Sequence, residues 1–279
     1  MTENMHEMTL ILGGTGKTGR RVAERLTARG LPVRVGSRSG EPPFDWDDQA
    51  TWMPVLQGVD SVYITYYPDL AFPGAAETVG AFAKLAVSNG IRRLVLLSGQ
   101  GEEGARLAER AVQDTGADWT IVRCNWFSQN FSENFLHDAV LAGEIALPAG
   151  DVREPFVDAD DIADVVVAAL TDDRHVGQLY ELTGPRLLSF AEAAAEISQA
   201  CGRDVCYVPV TIEQYRAGLV EHGMPADFAD LMAEILDGHN AHLRDGVQRA
   251  LGREPRDFRD YAHAAAATGV WDQMPQPRA

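Results

Sequence analysis

Four glycines near the start of the chain, Gly13, Gly14, Gly16 and Gly19, stand where a backbone would have to wrap an anion. They follow the apolar run Leu10-Ile11-Leu12 and precede a helical pattern with Val22, Ala23, Leu26 and Ala28 as its apolar positions. Strand, glycine-rich turn and helix in that order open a dinucleotide-binding unit. One or both of Gly13 and Gly14 turn the chain tightly, Gly16 lets the backbone approach a pyrophosphate, and Gly19 lets helix and strand pack closely. With Thr15, Lys17 and Thr18 between them, these residues are expected to hold the pyrophosphate on open N–H groups at the helix N-terminus, where the helix dipole favours an anion. Gly16-Lys17-Thr18 also looks like the end of a P-loop, but that motif needs a glycine where this chain has Ile11, inside the strand. A glycine turn with no ligand is the bland alternative.

The second strand supports the cofactor reading. Leu31-Pro-Val-Arg-Val35 runs into Gly36-Ser37-Arg38-Ser39, about twenty residues past the glycine loop. An NAD site usually carries Asp or Glu there, bonded to the ribose 2′-hydroxyl, whereas Ser37 and Arg38 suit a 2′-phosphate. NADP(H) is therefore expected in preference to NAD(H).

Ligands of open parallel sheets bind beyond the C-terminal ends of the strands. Those ends supply Thr65, Tyr66 and Tyr67, then Ser98, then Cys124, Asn125 and Trp126, all expected near the nicotinamide. Asp45 and Trp46 are candidates to frame the adenine, with loop packing as the alternative. Tyr66 before a proline also reads as surface packing, Ser98 as a residue bonding its own turn, and Cys124 as a small core residue. No catalytic residue is fixed; the candidates are Tyr66, Ser98, Glu102 and Asp158, with Glu103 beside them. The helix after the fourth strand begins Gly101-Glu-Glu-Gly-Ala-Arg-Leu-Ala-Glu-Arg110 and holds neither Tyr nor Lys. The Tyr-x-x-x-Lys acid of short-chain dehydrogenases is thus missing there. His239 and His242, spaced to face each other on a helix, lack the His-Glu-x-x-His context, so no metal site is expected. No Gly-x-Ser-x-Gly and no plausible hydrolase triad is present.

The elements that must position these residues follow from the rest of the chain. At 279 residues, 46% apolar and 23% charged, it reads as an ordinary globular protein with one large domain or a core and a smaller lobe. Twenty-four Lys and Arg against forty-one Asp and Glu give a formal charge of −17, which argues against nucleic acid or an anionic membrane as partner. No signal-peptide pattern and no apolar run of roughly 20 residues is visible. Three cysteines (124, 201, 206) without metal-ligand spacing suggest a reducing compartment. A cytoplasmic location, a small-molecule substrate and a possible homodimer are expected.

Strands near 61–67, 93–98 and 119–124 alternate with helices near 75–89 and 103–115. That alternation predicts a doubly wound, Rossmann-type parallel sheet of the α/β class. Residues 125–131 are expected to open a helix, 143–148 to form a short strand, and Asp158, Asp160 and Asp161 to sit at the start of a helix over 161–171. A strand (178–182), a helix (189–200), a strand (205–208) and mostly helical chain follow, with a frayed tail at Met274–Ala279. The expected division is an NADP-binding domain over 1–150, completed by 151–175, and a smaller, mostly helical C-terminal lobe over 176–279.

Several stretches then coincide with one family. They are Leu12-Gly-Gly-Thr-Gly-Lys-Thr18, Ser37-Arg38-Ser39, Phe44-Asp-Trp46, Leu96-Leu-Ser98, Trp126-Phe-Ser-Gln-Asn-Phe-Ser132, Pro155-Phe-Val-Asp-Ala-Asp-Asp-Ile162 and Pro255-Arg-Asp-Phe-Arg-Asp-Tyr261. In this order they resemble the NmrA-like, atypical short-chain dehydrogenase/reductases, and within them the group of ergot-alkaloid festuclavine and agroclavine dehydrogenases. The resemblance implies a Rossmann core, a C-terminal substrate lobe, a nicotinamide cofactor and hydride delivery to an iminium carbon. The family also holds quinone and azo reductases, benzylic ether reductases and a non-catalytic, redox-sensing regulator, so a dinucleotide sensor is the alternative reading. Hydride addition to C=N⁺ gives a neutral amine directly, which suits a chain without the Tyr/Lys pair.

Overall fold

The computed structural model describes residues 8–133 and 135–272; the expectation for the Met274–Ala279 tail lies outside them. The chain begins with β1 (Thr9–Leu12), α1 (Lys17–Ala28), β2 (Val33–Gly36), α2 (Trp52–Leu56), β3 (Ser61–Ile64), α3 (Ala75–Ser88), β4 (Arg93–Gly99), α4 (Glu103–Gln113) and β5 (Asp118–Cys124). It continues through α5 (Asn130–Glu133), α6 (His137–Ala142), β6 (Glu144–Leu147), β7 (Arg153–Glu154), α7 (Ala159–Thr171), β8 (Gln178–Leu182) and β9 (Leu188–Ser189). Then come α8 (Phe190–Cys201), β10 (Cys206–Pro209), α9 (Ile212–Glu221), α10 (Phe228–Ile235), α11 (Gly246–Leu251) and α12 (Phe258–Ala267).

Six strands form a parallel sheet in the order β2-β1-β3-β4-β5-β8, a Rossmann-type α/β arrangement. Strands buried on both faces account for the unbroken apolar runs. Leu10 and Leu12, Val62 and Ile64, Leu94 and Leu96 join one core with Val79, Phe82 and Ala83 of α3 and Ala105, Ala108 and Val112 of α4. The alternate residues point the other way, as Tyr63 shows by bonding Thr18 of α1 at 3.0 Å. On that face α1 packs along α7, and ion pairs hold them together: Arg25 to Asp160 at 2.6 Å and to Asp164 at 2.7 Å. Arg253 beside α11 adds Asp161 and Asp164, each at 2.7 Å. The acidic start of α7 is therefore engaged by arginines from two other segments.

The contacts divide the chain at places other than residues 150 and 176. Of the described residues, one compact unit holds 8–124, Ala159–Leu182 and Asp245–Arg253; the other holds those within 125–158, Thr183–Arg244 and 254–272. The reason is strand pairing. β8 joins the large sheet beside β5 and is covered by α11, so residues near 180 belong to the first unit.

In the second unit β6 pairs in parallel with β10, and β7 pairs antiparallel with β9. Its core is aromatic: Phe131, Phe156, Phe190 and Phe258 meet at ring centroids 5.2–6.3 Å apart. Residues 125–129 are not the helix expected from sequence. Val157 N–H donates to Trp126 O and Ser128 N–H to Val157 O, both at 2.9 Å, which bridges Phe127 to Val157 before a turn, closed by Asn130 N–H on Phe127 O, leads into α5.

Candidate functional site

β1 lies between β2 and β3, so the strand order reverses at its C-terminal end, the place where open sheets leave a ligand crevice. The glycine loop sits there. Gly13 has φ +61°, and a Cβ on it would come within 2.4 Å of Thr65 Oγ1. That hydroxyl donates to Leu12 O at 3.0 Å, so the end of β3 braces the loop from below. Gly13 N–H is held by Gly36 O, and Gly16 N–H by Gly13 O. A Cβ on Gly19 would lie 2.3 Å from Gly13 O, which shows how closely α1 approaches the loop.

These features fit a pyrophosphate. Gly16 caps α1 with no side-chain hydrogen bond, and the first turn holds no acid, so nothing acidic competes for the positive end of the helix. Gly13, Thr15 and Gly16 are exposed and Lys17 half-buried. Thr18 and Gly19 are buried, and the Thr18 hydroxyl accepts from Tyr63, so Thr18 offers the loop its backbone N–H. At the end of β2, Arg38 is exposed and makes no hydrogen bond or ion pair among the described residues, and Ser37 Oγ lies 3.4 Å from Ser39 Oγ.

Trp46 is half-buried; its Nε1 donates to Thr65 O at 3.1 Å, and its ring meets Phe44, Trp52, Phe82 and Tyr66 at 4.9–5.9 Å. Asp45 organises its own turn, its carboxylate accepting from Asp47 N–H and its backbone O from Trp52 Nε1. Loop packing is thus the arrangement observed for this pair, with Tyr66 drawn onto it and Tyr67 left exposed.

Ser98 does not bond its own turn. Its hydroxyl donates to Glu109 Oε1 at 2.6 Å, and Glu109 also receives a two-pronged bond from Arg123 at 2.5 and 2.9 Å. Arg123 reaches on to Glu181 at 3.1 Å. Glu109 sat outside the sequence candidates; its place on the buried face of α4, with Ala105, Ala108 and Val112, was the available signal. Glu102 is buried against Gly99, where a Cβ would meet its carboxyl at 2.2 Å, while Glu103 is exposed in the first turn of α4. Cys124 is buried, and burial pushes its thiol far up, which removes it as a nucleophile.

Asn125, Trp126 and Asp158 belong to the second unit. Asp158 is buried and accepts from Gln129 Nε2 at 2.8 Å, so it is a bonded carboxylate. Asn125 Oδ1, Trp126 Nε1 and Ser128 Oγ are buried without a hydrogen bond. So are both carboxylate oxygens of Glu154, a residue the sequence did not single out. His239 and His242 are not on a helix: α10 ends at Ile235, and Gly238, at φ +90°, turns the chain. Among the described residues no group of three or more His, Cys, Asp or Glu is placed to hold a metal, and no helix is long and apolar enough to cross a membrane.

Comparison with known proteins decides the family. A family model described as NAD(P)H-binding matches residues 13–173, and the NmrA-like family model matches residues 106–265. The chain belongs to the NmrA-like family of NAD(P)H-binding proteins. An uncharacterised oxidoreductase of Bacillus subtilis (YesF) is 35% identical over 95% of this chain and 98% of its own. Agroclavine dehydrogenase of Claviceps fusiformis is 34% identical over 91% and 96%. The NADPH-dependent quinone oxidoreductase of Escherichia coli, solved with NADPH, shares the fold at a TM-score of 0.75 and 20% identity, over 92% of this chain and 99% of that one. The Bacillus and Claviceps relatives are named an oxidoreductase and a dehydrogenase and are matched over nearly their whole length, and the expectation drawn from the quoted motifs is met at the level of family, fold and nicotinamide cofactor.

Proposed function

We propose that this NmrA-like chain is an NADPH-dependent reductase that delivers hydride to a small organic electrophile, an iminium or a conjugated, quinone-type acceptor. The observation that carries the reading is the braced, uncapped glycine loop at the β1/β3 switch with an exposed Arg38 at the neighbouring strand end. The backbone from Gly13 to Gly16 and the first N–H groups of α1, with Thr15, Lys17, Thr18 and Gly19, hold the pyrophosphate. Ser37 and Arg38 hold the 2′-phosphate, the guanidinium through a charge-assisted contact. Thr65, Tyr66 and the stretch Cys124–Trp126 follow the C-terminal ends of β3 and β5 and flank the nicotinamide end. The second unit serves as the substrate lobe.

The nicotinamide cofactor, when bound, supplies the hydride. The protein's part is orientation and exclusion of water. Ser98, Cys124 and Asp158 are engaged or buried as described, which leaves no free acid among them. An iminium substrate needs none, since hydride addition yields the neutral amine directly. The names of the Claviceps relative and of a 33% identical NAD(P)H azoreductase of Xenophilus azovorans support this range of acceptors.

The test is calorimetric titration with NADPH, NADP⁺, NADH and NAD⁺, followed by transfer of deuteride from labelled NADPH to cyclic iminium, quinone and azo acceptors. Tight NADPH, weak NADH and label in a product are expected. Preference for oxidised cofactor with no label transferred would favour a dinucleotide sensor, and absence of binding would end the cofactor reading.

A further inference from the structure

Buried acceptors without donors gather at one place in the second unit. Glu154 of β7 is fully buried, and neither carboxylate oxygen has a hydrogen bond of normal geometry. The amide of Asn125, itself 7% exposed, adjoins that carboxyl. Asn125 Nδ2 donates to Asn240 O at 3.2 Å, which leaves Asn125 Oδ1 as a third buried acceptor without a donor. Such groups are costly to leave unmade, and native interiors hold few of them. One proton serves two of the three, since an O–H on Glu154 can donate to Asn125 Oδ1, and it leaves the third as a neutral carbonyl oxygen, which costs less to bury than a charge.

The surrounding charges point the same way. Asp237 is kept ionised by the His239 backbone N–H and then by the His239 ring, and it disfavours a second anion beside it. Arg153, the preceding residue, forks onto Glu192 of α8 at 3.0 and 3.1 Å. The facing strand β9 presents Leu188 opposite Glu154, with Ser189 next to it. Burial pushes the Glu154 carboxyl up to about 8; the Asn125 amide opposes the rise and Asp237 adds to it.

We propose that Glu154 is a neutral carboxylic acid at neutral pH and a positioning residue, its proton fixing the Asn125 amide so that Nδ2 stays on Asn240 O. Once ionised, the carboxylate competes for Nδ2 and turns the amide away. Turnover therefore declines as Glu154 loses its proton in alkaline solution. The link to turnover rests on the reading of Asn125 as part of the reductase site; the protonation state does not.

The experiment compares the full chain with its Glu154→Gln and Glu154→Leu variants from pH 6 to pH 10 by infrared difference spectroscopy, NADPH titration and reduction of a quinone. The wild type should show the carbonyl stretch of a protonated carboxylic acid at pH 7 that is missing from Glu154→Gln and fades toward alkaline pH. Its turnover should fall about tenfold per pH unit above the transition. Glu154→Gln, a permanent neutral donor, should match the wild type at pH 7 and hold its rate where the wild type declines. Glu154→Leu, which fills the space without a donor, should lose turnover at every pH. No carboxylic band at pH 7 overturns the proposal, even if no substrate is found. A Glu154→Gln variant with the wild-type alkaline decline, or a Glu154→Leu variant with normal turnover, overturns the positioning role. Failure to bind NADPH at pH 7 in the wild type overturns the reductase reading and leaves the infrared result to decide the protonation.

Discussion

Alanine at Gly19 and alanine at Gly218 are the same substitution in two helices, and the structure assigns them opposite signs. Alanine favours a helix over glycine by about 1 kcal/mol, so propensity alone stabilises both. Gly218, inside α9, has no atom within 4 Å of a new Cβ, and the gain should survive. At Gly19 the Cβ would lie 2.3 Å from Gly13 O and 2.8 Å from Gly13 C and Gly14 Cα, all backbone. Restoring an ordinary contact of 3.4 Å moves the loop by about 1 Å. Overpacking of this kind costs about 1–3 kcal/mol, which cancels or exceeds the propensity gain. Scanning calorimetry should show the Gly218→Ala transition raised by about 2 °C and the Gly19→Ala transition unchanged or lowered by a few degrees. The displaced segment is also the one proposed to face the pyrophosphate, so NADPH affinity should fall at least tenfold, about 1.4 kcal/mol, for Gly19→Ala and stay constant for Gly218→Ala. A Gly19→Ala protein as stable as Gly218→Ala, binding NADPH like the wild type, would refute the close approach of α1 to the loop.

Arg38→Ala should weaken NADPH by roughly 10- to 100-fold, the value of a charged hydrogen bond, and leave NADH unchanged; equal losses for both would remove Arg38 from the 2′-phosphate. Glu109→Gln strips the partner from Arg123 and Ser98 in a mostly buried cluster, and chemical denaturation should register a loss of about 3 kcal/mol. Ser189→Ala breaks the capping box of α8, closed by Glu192, and should cost about 1 kcal/mol in the same assay. The Arg186 guanidinium, followed by the backbone N–H of Arg259, holds Asp257 below the usual carboxylate range. Its stabilising contribution is therefore complete above the unfolded value of about 3.9 and disappears as pH falls through the lower folded value. Acid titration of Asp257→Asn should show a weaker loss of stability in that window than the wild type does.

The glycine loop was legible because its signal is local. Gly13, Gly16 and Gly19 owe their identity to a left-handed turn and close backbone approach within seven residues of chain, and the runs Leu10–Leu12 and Leu94–Leu96 carry the pattern of strands buried on both faces. The strand over Gln178–Leu182 was likewise read to the residue, because periodicity is a property of the segment itself. What the sequence by itself determined, then, is the order of the elements, the glycine turn and the family.

The tertiary structure decided the partners, since pairing energies depend on residues far apart in the chain. β8 took the sheet edge beside β5 while β6 paired with β10, so the second unit is assembled from separated segments with no boundary marked in composition. Residues 125–129 have a helical look, but a bridge from Phe127 to Val157, thirty residues on, keeps them out of a helix. Ser98 and Asp158 stood among the catalytic candidates, and folding gave them Glu109 and Gln129 as partners. Nothing in the sequence singled out Glu154, and only folding buried its carboxyl oxygens without a hydrogen-bond donor. A side chain's chemistry depends on its solvation and on which charges reach it, and both are set by the packing of distant segments.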